Sequence, residues 1–101
     1  MADFLQQFGD EIKNNVPGYI AIAVTEIKSG ISYYSDSAVA GFDPELASAF
    51  NLEVVKAKLN AISALGLTQA IDEIVISLTD QIHIIDISEN NEYFIYLAVD
   101  S

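Results

Sequence analysis

A single long helix constrains the fold of this chain more than any other feature. Its start is marked by Asp43, Pro44 and Glu45, because Asp caps a helix, Pro suits the first helical position and Glu is favourable near the positive end of the helix dipole. Gly66 marks its end, since glycine readily takes the left-handed conformation that closes a helix. The residues between these signals therefore predict one helix of about six turns.

Apolar residues on this helix fall into two separate stripes when successive residues are rotated by about 100°. The first stripe consists of Leu46, Phe50, Val54, Ala57, Ala61 and Leu65. The second stripe, with the spacing of paired helices, consists of Leu52, Val55, Leu59 and Ile62. We assign the first stripe to the core of the domain. We expect that no other part of the 101 residues is left to cover the second stripe. The second stripe therefore predicts a contact with another chain.

The rest of the chain predicts a short N-terminal helix and five strands. Phe4, Phe8, Ile12 and Val16 recur every four residues, with Asp3 as the expected N-cap. Runs of β-branched and aromatic residues predict strands over residues 19–27, 31–35, 73–79, 82–88 and 93–99. We expect the polar residues 35–37 to end the second strand, and Asp80 and Gln81 to form the turn between the third and fourth strands.

The first and last strands are apolar on both faces, so we place them side by side in the centre of one sheet. Residues 31–35 and 73–79 then form its two edges, and the short connections indicate antiparallel neighbours. The predicted fold class is α+β: a five-stranded antiparallel sheet with the long helix on one face and the short N-terminal helix on the other. We expect residues 1–101 to form a single domain.

Composition narrows the possible functions. Four Lys, no Arg and 15 acidic residues give a formal net charge of −11, which argues against binding to nucleic acid or to an anionic membrane. Cysteine is absent, and the single histidine, His83, lies on the opposite strand face from Asp86. We therefore expect no catalytic residues, no cofactor and no metal, and no enzyme activity. The sequence has no bilayer-spanning run and no secretory signal, so we expect a cytoplasmic location.

Four segments resemble the roadblock/dynein light chain superfamily, in particular its short bacterial members. They are Pro-Gly-Tyr-Ile-Ala-Ile-Ala-Val at residues 17–24, Phe-Asp-Pro-Glu-Leu at 42–46, Ala-Leu-Gly-Leu at 64–67 and Tyr-Leu-Ala-Val-Asp at 96–100. The resemblance implies a homodimer that pairs its long helices and joins edge strands. It further implies a non-catalytic regulator or adaptor of a small Ras-like GTPase. On this basis the expected dimer interface comprises Leu52, Val55, Leu59, Ile62, Ile74, Val75 and Ile76.

The resemblance has one departure. Family members usually carry a C-terminal helix beside the N-terminal one, whereas this sequence runs only to Ser101 after its last predicted strand. We therefore expect a single roadblock-like domain without that helix, and a sheet face that is partly exposed or covered by another chain. Two other functions stay open. One is a structural adaptor that ignores nucleotides, and the other is a small-molecule sensor with a pocket between the sheet and the N-terminal helix.

Overall fold

The computed structural model describes residues 2–100 as two helices and one five-stranded sheet. The elements are α1 (Ala2–Asn15), β1 (Tyr19–Glu26), β2 (Ser32–Ser37), α2 (Pro44–Ala64), β3 (Glu73–Ser77), β4 (Gln81–Ile87) and β5 (Tyr93–Asp100). The strands lie in the order β2-β1-β5-β4-β3 and all neighbours are antiparallel. This arrangement confirms the predicted α+β fold class, the central pair β1 and β5, and the two edge strands.

The limits of α2 follow the sequence signals closely. The carboxylate of Asp43 accepts hydrogen bonds from the backbone N–H groups of Glu45 and Leu46, both at 3.1 Å. Gly66 has a φ of 69° and so ends the helix in the left-handed conformation. Both termini therefore have the backbone partners that a helix end needs.

Each predicted strand differs from the structure by one or two residues at one or both ends, with β3 ending at Ser77 and not at residue 79. β2 continues through Ser37, which pairs with Ala21, because strand pairing uses backbone groups and polar side chains do not interrupt it. Gln81 belongs to β4 rather than to the turn, since its carbonyl accepts a 2.8 Å hydrogen bond from the backbone N–H of Leu78. Finally, α1 begins at Ala2, so Asp3 lies inside the helix and not at its N-cap.

The main core lies between the sheet and α2. Its fully buried members include Phe94 and Tyr96 of β5, Ile85 of β4 and Val55 of α2. Antiparallel pairing sets Tyr96 opposite both Ala23 and Ile85, so these side chains share one face. This face of β1, β5 and β4 is therefore the one that α2 covers.

The other face of the sheet is only partly covered. Helix α1 packs on β1 and β2, where Tyr19 Oη donates a 2.7 Å hydrogen bond to Asp36 Oδ2 and Lys13 Nζ lies 3.8 Å from the same oxygen. Beyond α1, this face carries apolar side chains that are half-buried or exposed. We call this set the open face: Val75, Ile82, Ile84, Ile95 and Leu97. No helix among residues 2–100 covers it.

Candidate functional site

The second stripe of α2 faces the chain's own core, contrary to the expectation from the sequence. Leu52 and Val55 are buried, Leu59 packs against the same core, and Ile62 is half-buried. The prediction that a single chain leaves this stripe uncovered is therefore wrong. Buried side chains cannot offer an apolar surface to another chain, and Leu52 and Val55 drop out of the proposed dimer interface for this reason.

A buried polar residue lies on the inward side of α2. Ser48 lies on the same side of the helix as Leu52 and Val55, and it is buried. Its Oγ lies 2.6 Å from Oγ1 of Thr25 on β1, so the two hydroxyls share a hydrogen bond. A small residue at this position lets α2 approach the sheet closely, and the hydrogen bond satisfies both buried polar groups. Sequence reasoning missed Ser48 because it searched for the inner surface among apolar residues alone.

The first stripe of α2 is the surface left uncovered. Leu46, Phe50 and Leu65 are 56%, 71% and 72% exposed, and Ala57 and Ala61 between them are also exposed. Large apolar side chains that share one exposed helix face are typical of an interaction site rather than of a solvated surface. The first stripe is therefore the strongest candidate surface for contact with another protein.

Edge strand β3 lies at the end of the sheet away from β2. It pairs with β4 and, among the described residues, with no strand on its other side, so it presents unpaired backbone groups at that edge. Ile74 and Ile76 are half-buried on the α2 side, and Val75 is exposed on the opposite side. These three residues keep their place in the predicted dimer interface, which stays a prediction.

A groove lies between the start of α1 and the sheet, on the face opposite α2. It has a volume of about 480 Å³ and its lining includes Phe4, Leu5, Val24, Tyr33, Tyr93 and Ile95. The Tyr33 and Tyr93 rings meet edge to face with centroids 5.8 Å apart. A small-molecule sensor is expected to have a pocket between the sheet and the N-terminal helix, and the groove lies there. The groove is therefore a second candidate binding surface.

Glu26 stands beside the two tyrosines and carries a charge. Its carboxylate accepts hydrogen bonds from Ser29 Oγ at 2.5 Å and from Tyr33 Oη at 3.1 Å. These bonds, from Ser29 first and then from Tyr33, lower the pKa of Glu26 below its usual value. The side of the groove at Tyr33 is therefore aromatic and anionic.

The side chain of His83 packs against Tyr96 and lies within hydrogen-bond distance of Gln81. Its ring meets the Tyr96 ring edge to face at 5.2 Å, and its Nε2 lies 2.9 Å from Gln81 Oε1. Burial lowers the pKa of His83 below its usual value, so the neutral ring is favoured. Asp86 lies on the other sheet face, opposite Ile95. The two residues therefore form no dyad, as their strand positions predicted.

Residues 2–100 contain neither a metal-binding cluster nor a helix that could cross a bilayer. No group of three or more His, Asp or Glu side chains is placed to hold a metal ion there. Neither helix in that range has the length and apolar character that a bilayer crossing requires.

The sequence matches no family model and no curated protein sequence, so the comparison rests on solved structures. MglB from Myxococcus xanthus superposes with a TM-score of 0.84 at 9% identity, covering 99% of this chain and 72% of that one. MglB with a tetrameric arrangement superposes with a TM-score of 0.77 at 14% identity, covering 98% of this chain and 72% of that one. A roadblock/LC7 domain from Streptomyces avermitilis superposes with a TM-score of 0.75 at 11% identity, covering 93% of this chain and 76% of that one. The chain therefore has the roadblock/LC7 fold.

Proposed function

We propose that this protein is a non-catalytic homodimeric module that regulates a small Ras-like GTPase or connects it to other proteins. The exposed first stripe of α2 is the observation that carries the proposal. Its three bulky residues are each more than half exposed, and a second copy would remove them from water. The roadblock/LC7 fold supports the proposal, because the family resemblance implies both the dimer and the GTPase partner.

The shape of the first stripe suits pairing between two copies of α2. Ala57 and Ala61 lie near its middle, with Phe50 towards one end and Leu65 at the other. Small residues at a crossing point let two helix axes come within about 8 Å, and the flanking bulky residues then pack across the contact. The same fold is found in MglB with a tetrameric arrangement, which supports self-association as a use of this architecture.

In the proposed dimer, the β3 edges of the two copies add to the helix contact. Ile74, Val75 and Ile76 would lie at the junction, with backbone hydrogen bonds joining the two sheets. Of the second stripe, Leu59 and Ile62 retain enough exposure to contact a partner at the margin. The dimer therefore rests mainly on the first stripe and on β3.

Charge and composition limit how the module would act on a GTPase. The sequence contains no Arg and so cannot supply an arginine finger to the nucleotide. Any acceleration of GTP hydrolysis must come from positioning the GTPase's own residues. Its net charge of −11 would speed encounter with a basic partner surface and make that encounter sensitive to salt.

A substitution in the first stripe tests the dimer. Phe50→Asp places a charge at the proposed contact, and because Phe50 is exposed the monomer should stay folded. We expect light scattering to report a dimer for the native chain and a monomer for this variant, at equal helix content. Asn60→Asp, on the exposed polar flank of α2, is the matched control and should leave the dimer intact. A native chain that scatters as a monomer, or a Phe50→Asp variant that still dimerises, contradicts the proposal.

The GTPase partner is tested with purified Ras-like GTPases encoded in the same genome. We expect at least one of them to bind the immobilised chain and to prefer one nucleotide state. The alternative, a structural adaptor independent of nucleotide, predicts partners that bind equally with GDP and with a GTP analogue. Absence of binding to every such GTPase would eliminate the regulatory role.

A further inference from the structure

The groove beside α1 is apolar along its centre, with Glu26 near its Tyr33 side and Asp86 on its β4 side. Antiparallel register places Val24, Ile95 and Asp86 side by side across three neighbouring strands. The next strand continues this row with Glu73, which pairs directly with Asp86. The row thus passes from two apolar residues to two carboxylates within the width of the sheet.

At Asp86 this row borders a second pocket. This pocket has a volume of about 340 Å³ and shares Asp86, Ile87 and Ser88 with the groove. Asp72 and Glu89 also line it. Glu73 and Asp86 are like charges directly opposite each other, an arrangement that destabilises an antiparallel pair unless a cation lies nearby.

The chain's own lysines do not neutralise these carboxylates. Lys13 pairs with Asp36 near the opposite end of α1. Lys56 and Lys58 belong to α2, which lies on the other face of the sheet. The charge of Lys28 helps to lower the pKa of Glu26, which lies on the β1 side of the groove. The second pocket, which we call the acidic pocket, therefore carries uncompensated negative charge. A positively charged partner would neutralise this charge.

We propose that the groove and the acidic pocket together bind a segment of a partner protein, one that carries a bulky apolar side chain with a Lys or Arg close by. The apolar side chain would pack against Phe4, Tyr93 and Ile95, and the basic side chain would reach Asp86 and Glu73. The groove lies on the face opposite α2, and the site meets the proposed dimer surface only at Glu73, the first residue of β3.

The openness of the groove favours a protein segment over a small molecule. Pockets for small molecules enclose most of the ligand surface. Here Phe4 is 67% exposed, and beyond Ile95 the groove meets the open face, where Ile84 and Leu97 are half-buried. A segment that runs along the sheet can contact both the groove and the open face. Its apolar anchors would lie in the groove and its basic residues in the pocket.

Selection from a displayed library of random peptides tests the proposal on the full chain. We expect the enriched peptides to combine a large apolar residue with Lys or Arg. A selected peptide should bind the double variant E73Q/D86N about threefold to tenfold more weakly, because two exposed carboxylates are removed. Phe4→Ser should weaken the same peptide by about tenfold or more through lost apolar contact. Glu53→Gln, an exposed carboxylate on α2, is the control and should have no effect.

Amide chemical shifts in the presence of the selected peptide locate the binding site. Changes at Val24, Tyr93 and Ile95 support the proposal. Four results overturn it: no enriched peptide, enrichment without basic residues, changes confined to α2 and β3, or unchanged binding by E73Q/D86N. Concentration-dependent shifts at the groove in the protein alone would assign the groove to a second copy, and this also overturns it.

Discussion

At the residue scale, one buried hydroxyl pair joins α2 to β1. Ser48→Ala should leave the Thr25 hydroxyl buried without a partner and lower the free energy of unfolding by about 1–3 kcal/mol. The double variant T25V/S48A removes both polar groups and should recover most of this loss, since apolar groups of the same shape replace them. Urea unfolding of the three proteins measures the difference. A double variant no more stable than Ser48→Ala would show that the unpaired Thr25 hydroxyl is not the cause of the loss.

A second residue-scale prediction concerns the pH dependence of stability. Burial lowers the pKa of His83 below 6.5, its usual value, so the unfolded chain takes up a proton first on acidification. The contribution of His83 to stability is therefore complete above pH 6.5 and falls as the pH decreases from there towards the folded-state pKa. Tyr96, the titratable group in contact with His83, has a pKa raised to about 12 by burial and stays neutral throughout.

The His83→Leu variant isolates this effect from the titration of the carboxylates. We expect the native chain to lose more stability than the variant between about pH 8 and about pH 5, measured by urea unfolding at both values. Equal losses in the two proteins would contradict a lowered pKa for His83.

At the element scale, the contact of α1 with the sheet depends on a glycine inside the helix. A Cβ on Gly9 would clash with Tyr34 Oη and lie 2.5 Å from the Tyr34 ring. Gly9→Ala gains about 1 kcal/mol in helix propensity, but overpacking typically costs about 1–3 kcal/mol. We therefore expect a net loss of stability and faster hydrogen exchange in α1.

Removal of the tyrosine ring provides the control for this prediction. In the background of Tyr34→Val, Gly9→Ala meets no ring and should stabilise α1 by its helix propensity. If Gly9→Ala destabilises the protein equally in both backgrounds, the cause is not the Tyr34 contact. Sequence reasoning identified α1 from its apolar spacing but not this close approach, because the contact joins residues 25 positions apart.

At the scale of the whole molecule, net charge separates the two proposed interactions. Two copies that each carry a charge of −11 repel one another, and salt screens this repulsion. The dimer should therefore become tighter as salt is raised, whereas binding of a basic segment to the acidic pocket should weaken. Sedimentation equilibrium and peptide titration at low and high salt measure the two trends. A dimer that weakens with salt would indicate that ion pairs, and not the apolar first stripe, hold it.

The sequence by itself determined the elements, the strand order and the existence of two apolar stripes on α2. These follow from short-range signals: the Asp43 cap, the Gly66 stop, and strands β1 and β5 that are apolar on both faces. Helical periodicity also determined the angle between the stripes. It could not determine which stripe faces the sheet, because both are apolar and a rotation of the helix exchanges them.

The tertiary structure decided that rotation and the location of the groove. In the observed rotation Leu52 and Val55 point inward, Ser48 meets Thr25, and Phe50 is exposed. The groove likewise joins Phe4 to Ile95, from opposite ends of the chain. Such contacts depend on how the packed elements meet in space, and periodicity within one element carries no information about them.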